Sequence, residues 1–320
     1  MRARRITLDY GAAASPELLR SLSAIAWSPP YLWTASDETR TVERLVESDD
    51  GFRLDRQVAL DDVFALPGKR SGSEADLEAL AADTDGLWIC GSHCRVRRKA
   101  DEGAPPDPRV EDRPSRQLLG HLRLANGEVV DSTMVPVSGP RSLRARLARE
   151  PRIAPFMHLP TKDNGLDIEG IAVFRGELLV GLRAPVVETT ATVLRFPIMS
   201  PGHVTAALDT SYLDLGGLGV RELASAGSFV YVIAGPVGKT GGPFRLYRWK
   251  PLGGDRIQRP ARVHEWPLDG DRPEGLCVLS RDGVDGVLVV YDDAQDRVKG
   301  SVFEADWIPV SEIGARRGRY

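Results

Sequence analysis

The chain has 320 residues, of which 42% are hydrophobic and 27% charged, with a formal net charge of −3; this is an ordinary globular composition, so disorder is not the default. Near-neutral balance leaves no long-range field to recruit nucleic acid or an anionic membrane, which disfavours both as partners and makes any charged site local. The arginines of residues 1–11 precede no apolar run, no segment has the length of a membrane span, and Cys90, Cys94 and Cys277 are too few for a disulfide framework, so a cytoplasmic protein is expected.

In chain order, Arg4–Tyr10 reads as an isolated strand, after which a β-like unit recurs. Its openings are Leu22–Ala26, Asp76–Ala81, Asp167–Ala172, Arg221–Ala224 and Pro273–Cys277. Four of them carry a glutamate in nearly the same place, Glu78, Glu169, Glu222 and Glu274, and the first carries Ser23. About a dozen residues on, a second apolar run follows: Tyr31–Ser36, Leu87–Ser92, Leu178–Leu182, Phe229–Gly235 and Val287–Tyr291. Short runs rich in Val, Ile, Trp and Tyr, separated by turns such as Asp85-Gly86 and Arg175-Gly176, read as β-hairpins.

Outer strands are expected at Gln117–Leu124 and Glu128–Val135, at Thr192–Pro197, at Phe244–Trp249 with Val263–Pro267, and at Ser301–Trp307. Four antiparallel strands in a unit of roughly fifty residues describe a propeller blade. The expected fold is all-β: one β-propeller domain over residues 1–320 with five blades, six being the alternative. Arg4–Tyr10 would complete the last blade and close the ring, removing open edges. The long interval between Glu78 and Glu169 is assigned to insertions at about 99–116 and 139–163, the second with a short amphipathic helix at Pro140–Glu150.

Propeller geometry brings the opening glutamates and the ends of the second strands to one rim. Asp37, Glu38, Ser92, His93, Arg183, Gly235, Pro236, Asp292 and Asp293 should converge there, beside Asp76, Asp167, Arg221 and Arg272. Carboxylates that crowded stay ionised only if cations or donors offset them. A purely architectural role is one reading: each glutamate accepts backbone N–H groups of the next blade, with Arg221 and Arg272 as counter-ions. A rim site for a hard cation such as Ca²⁺ is the other, with Glu78, Asp167, Glu169, Glu274 and Asp293 as oxygen ligands.

Exceptions to the repeat point to chemistry: Lys162-Asp163-Asn164-Gly165, Ser92-His93 and Arg183-Ala184-Pro185 each occur once. His93 beside Ser92 suits a general base or an orienting donor, although a histidine satisfied by a backbone carbonyl is the commoner case. The other histidines have no metal-ligand spacing, and neither a GxSxG elbow nor a P-loop is present.

Taken together, Lys162–Gly170, Asp76–Ala79 with Gly91–His93, Gly181–Pro185 and Arg272–Gly275 resemble the bacterial domain-of-unknown-function 3616 family, over roughly Leu22 to Trp307. More remotely, the Asp-Xxx-Glu-Gly opening is similar to that of esterase-like phytase propellers. That kinship implies a phosphoester hydrolase, Ca²⁺-assisted, with Arg183, Lys162 and His93 receiving phosphate and Glu169, Glu78 and Glu274 holding metal or activating water. Departures at Ser23, Ala79 and Leu223 leave the third unit as the expected centre: catalytic His93, Glu169 and Arg183, with Ser92, Lys162, Asn164, Arg183, Arg221 and Arg272 binding substrate. Two functions stay open: a hydrolase of a small phosphorylated or anionic molecule, and a non-catalytic propeller binding a ligand or protein partner at the same rim.

Overall fold

The computed structural model describes residues 3–67, 74–105, 107–205, 209–238, 241–252 and 256–313. Among them the architecture is mostly β, in several sheets arranged as a ring. Each repeated unit is an antiparallel meander. The first is built from Leu22–Ser28, Tyr31–Ser36, Thr41–Ser48 and Gly51–Ala59, the second from Leu77–Ala82, Gly86–Gly91, Leu119–Ala125 and Glu128–Met134. The third runs through Asp167–Phe174, Glu177–Ala184, Thr190–Ser200 and Asp209–Asp214. The fourth comprises Gly219–Ala226, Phe229–Gly235, Arg245–Trp249 and Ala261–Glu265. Arg272–Arg281, Val284–Asp292 and Val302–Pro309 form the last.

Turn chemistry explains the hairpins. Asn126-Gly127, Arg175-Gly176 and Asp282-Gly283 all have positive φ at both residues, the two-residue geometry whose twist matches that of the flanking strands. Strand faces alternate less than in a sheet open to water, because consecutive units cover one another. Trp33, Leu77 and Ile89 share one buried cluster between the first and second units, and Leu179, Leu223, Val232 and Trp249 share another between the third and fourth.

Closure uses the N-terminal strand. Arg4–Asp9 pairs antiparallel with Val302–Pro309, Ile6 opposite Ala305, and parallel with Gly51–Ala59, Leu8 opposite Phe52. First and last units therefore share one sheet. A Cβ at Gly51 would lie 2.2 Å from the Thr7 carbonyl oxygen, so glycine permits the junction. The inner strands pack in sequence, Leu22–Ser28 on Leu77–Ala82, then Asp167–Phe174, Gly219–Ala226 and Arg272–Arg281, which returns to Leu22–Ser28. At one end of the channel they enclose, a cavity of about 90 Å³ takes Ile25, Leu80, Ile171, Leu223 and Leu276 from these five strands.

Two segments interrupt the repeat. Arg95–Arg97 and Val110–Asp112 pair as a small ribbon, and Leu143–Leu147 is a helical turn capped by Ser142, with Leu143, Arg146 and Leu147 buried. Three arginines of this second segment bond to neighbouring parts of the chain. Arg144 donates to the carbonyls of His93 and Met157, Arg146 to that of Thr205 and Arg152 to the Tyr212 hydroxyl. Asp209–Asp214, the outer strand of the third unit, was not expected from the sequence. Among the described residues no helix is long and apolar enough to cross a membrane.

Candidate functional site

Each inner strand carries a register irregularity near its start. Between Leu22 and Ala24, between Leu77 and Ala79, between Ile168 and Gly170, between Val220 and Glu222 and between Pro273 and Leu276, the opening strand has a residue more than its partner. A bulge of this kind re-aims a side chain out of the ladder. The residues placed there are Ser23, Glu78, Glu169, Arg221 and, in the last unit, Glu274 with Gly275. The fourth copy thus presents Arg221, not Glu222, at the position of the other glutamates. A one-residue offset sends a strand side chain to the opposite face, and Glu222 is fully buried between units. Its Oε1 accepts from Ile171 N at 3.3 Å and Leu223 N at 2.8 Å, which joins the third and fourth inner strands. Burial holds the Glu222 carboxyl well above its ordinary pKa, against those two hydrogen bonds. Gly170 accommodates it, since a Cβ there would lie 2.9 Å from Glu222 Cα.

Three of the bulge residues are joined by ion pairs. Glu169 receives Arg183 Nη1, and Arg221 Nε lies 2.9 Å from its other oxygen. Arg221 Nη2 bonds Glu274, and the Arg221 guanidinium lies 5.8 Å from the centre of the Phe244 ring. Arg183 Nε donates to Val237 O at 3.1 Å, and Nη1 lies 3.7 Å from Asp167 Oδ2. Burial opposes the Arg183 charge, but Glu169 and Asp167 more than offset it and raise its pKa. For Arg221 burial outweighs Glu169 and the pKa falls.

These groups form one side of a cavity of about 510 Å³ whose wall also includes Asp37, Glu78, Phe244, Leu268, Arg272 and Asp292. A second cavity of about 390 Å³, bounded by Glu17, Arg20, Glu38 and Asp293, shares Asp37, Arg272 and Asp292 with it. Arg272 makes no ion pair among the described residues.

Away from the arginines, ligand oxygens of Asp37, Asp76 and Glu78 all lie within 4.8 Å of one another. Asp76 is held by Arg116 Nη1 at 2.8 Å. Glu78 has no hydrogen-bond partner among the described residues, and Asp37 Oδ1 is a buried oxygen without one. Burial, then Asp76 and Asp292, push Asp37 up to about 8. Burial, then Glu169, Asp76 and Asp37, hold Glu78 well above the carboxylate range. Burial also raises Asp292, against Arg221. Such shifts mark a site short of positive charge, and three carboxylate oxygens at this spacing fit the 2.3–2.6 Å coordination distances of a hard cation such as Ca²⁺.

Of the residues singled out in the sequence, Glu78, Glu169, Arg183, Arg221, Arg272 and Glu274 line the larger cavity. Asp167 is buried behind it, accepting from Thr161 Oγ1, and burial raises it to about 7 against the Arg183 charge. Asp293 bounds the smaller cavity. Asn164, in the left-handed region, clasps Val186 through both its Oδ1 and Nδ2, and Lys162 is exposed on the short helical turn Thr161–Asp163. Ser92 accepts from Cys94 N at 3.2 Å and is fully buried. His93 is 2% exposed with Nε2 3.1 Å from Leu118 O. Asp37 and Asp76 were legible as rim positions but not as partners of Glu78, and Arg116 gave no sequence signal.

Burial pushes His93 down to about 3, against its bond to Leu118. The unfolded chain takes up a proton near pH 6.5 whereas the folded one resists until about 3, so stability is lost as pH falls through that window. Exchange of His93 for glutamine should flatten the acid limb by a few kcal/mol, measured as urea midpoints between pH 7 and pH 4.

No curated protein matches the chain. Among solved structures, glutaminyl cyclase of Myxococcus xanthus superposes with a TM-score of 0.46 at 11% identity, covering 97% of this chain and 99% of that one. A streptogramin B lyase does so with a TM-score of 0.42 at 10% identity, covering 96% and 97%. The PQQ-bound aldose sugar dehydrogenase of Streptomyces coelicolor gives 0.36 at 16% identity, covering 96% and 99%. Residues 21–303 match the family described as "Protein of unknown function (DUF3616)", and the chain belongs to that family.

Proposed function

We propose that the larger cavity is the site of a metal-assisted hydrolase acting on a small phosphorylated or otherwise anionic substrate, at the rim of a single five-bladed propeller whose insertions lie at about 99–116 and 139–163. The observation that carries this reading is Glu78, without a hydrogen-bond partner, meeting Asp37 and Asp76 within 4.8 Å at the wall of a 510 Å³ cavity. Asp37 and Glu78 are half-buried and have no ion pair among the described residues, a state that favours a cation. A divalent ion there would supply Lewis-acid polarisation of a phosphoryl oxygen and a more acidic water.

The chain's own residues divide the remaining work. Asp37, Asp76 and Glu78 hold the cation, and Arg116 fixes Asp76. Arg272, with no ion pair, receives the anionic group, aided by Arg183, whose Nη2 makes no hydrogen bond among the described residues. Glu169 and Glu274 are neutralised by Arg183 and Arg221, so they position the guanidiniums rather than bind metal. Glu78 is the carboxylate suited to accept a proton from attacking water. His93 supports the wall through Leu118 and Arg144.

Calcium, magnesium and manganese titrations followed by thermal shift, with a phosphomonoester panel, test it. The expected result is a cation-dependent rise in melting temperature, lost in Asp37→Asn, and cation-dependent turnover reduced at least about a hundredfold in Glu78→Gln. A shift without turnover would favour the non-catalytic ligand-binding propeller. Neither shift nor turnover would remove the basis of the proposal.

A further inference from the structure

The cavity is polarised. Asp37, Glu78 and Asp292 stand on the side of the first, second and last units, whereas Phe244 and Leu268, flanked by Arg221 and Asp269, come from the fourth unit and the turn that leaves it. Leu268 is 74% exposed within a turn closed by the hydrogen bond from Gly270 N to Pro267 O at 3.1 Å. Turn tips ordinarily carry glycine, proline or short polar side chains. Both flanks of this turn are tied down. Trp266 N donates to Phe244 O at 3.0 Å, and Asp271 is held by Arg297 Nε at 2.6 Å. Phe244 is fixed as well, under Arg221 and against Gly235, where a Cβ would lie 2.5 Å from the ring.

From this wall we infer the substrate class: an amphipathic small molecule, with an anionic head at the cation and Arg272 and a hydrocarbon or aromatic body lying on Leu268 and Phe244. The head group's placement rests on the function proposed above; the apolar wall is an independent observation. Binding would cover an exposed leucine that packing does not require, and the mobility lost would be small because the turn is already braced. Leu268 and Phe244 are thus specificity-determining residues, and phosphate alone engages half of the site.

Calorimetric titration with methyl-, butyl- and hexylphosphonate in calcium chloride tests the inference, since the carbon–phosphorus bond is not hydrolysed as an ester. Affinity should rise about threefold to fourfold for each added methylene that is buried. The hexyl-to-methyl ratio should fall towards one in Leu268→Ala and decline in Phe244→Ala; read within each variant, it is insensitive to the fraction of folded protein. Equal binding of methyl- and hexylphosphonate would overturn the amphipathic substrate while leaving the anion site standing. A ratio unchanged in both variants would overturn the assignment to this wall. If no phosphonate bound, the inference and the proposed function would fall together.

Discussion

Replacement of Arg221 by methionine is expected to destabilise the protein by about 3–5 kcal/mol, seen as a lower urea midpoint at unchanged slope. Arg221 is 8% exposed and is the only ion-pair partner of Glu274 among the described residues, as well as a partner of Glu169. Methionine preserves much of the stem's volume, so the loss reports charge rather than a cavity. Glu169 retains Arg183, which places most of the cost on Glu274. Adding Glu274→Gln should then recover about 0.5–3 kcal/mol, the size of coupling usual for residues in contact. A loss below about 0.5 kcal/mol, the scale of surface substitutions, would show that these charges are solvated through the cavity and are not a structural clamp.

The place of Arg221 also shows where the sequence was legible. The apolar pairs Leu80-Ala81, Ile171-Ala172, Leu223-Ala224 and Leu276-Cys277 are in register because each packs against the next inner strand, and hydrophobic period and turn residues are local signals. Aligning on those pairs puts Arg221 with Glu78, Glu169 and Glu274. Aligning on the glutamate letter puts Glu222 there and is wrong by one residue. The bulge decides between the two, and it is a property of strand pairing rather than of the segment alone. N-terminal closure was legible for a similar reason, since Arg4–Tyr10 reads as a strand outside every hairpin and the last unit shows three strands of its own among the described residues.

The charge pairing was legible only in part: Arg221 was expected as a counter-ion of the glutamates and pairs with Glu169 and Glu274, whereas the other partners were not foreseen. Arg116 reaches Asp76 from the far side of an insertion, and Asp37 meets Glu78 only because two units lie side by side. Sequence offered Glu78, Asp167, Glu169, Glu274 and Asp293 as equivalent cation ligands. In three dimensions guanidiniums engage Glu169 and Glu274, Thr161 bonds Asp167, and Asp293 bounds the neighbouring cavity. Composition fixes the number of charges, whereas their partners depend on how the ring closes.

Glu78→Gln should produce opposite effects with and without a divalent cation, and this reversal separates a metal site from a packed acidic cluster. In chelator, the amide removes a carboxyl that burial and the neighbouring Glu169, Asp76 and Asp37 carboxylates disfavour when ionised, and its size is nearly unchanged. The variant should therefore match or exceed the wild type in stability. Saturating calcium at a hundredfold excess over the dissociation constant should stabilise the wild type by about 2.7 kcal/mol, whereas the glutamine variant, lacking one of three charged ligands, should gain little. Urea midpoints measured with each protein in calcium and in chelator give all four values. If calcium stabilised both proteins equally, the ion would bind elsewhere. If the variant lost stability in both conditions, Glu78 would be a structural residue, and the cation site would have to be sought among Asp37, Asp292 and the neighbouring cavity.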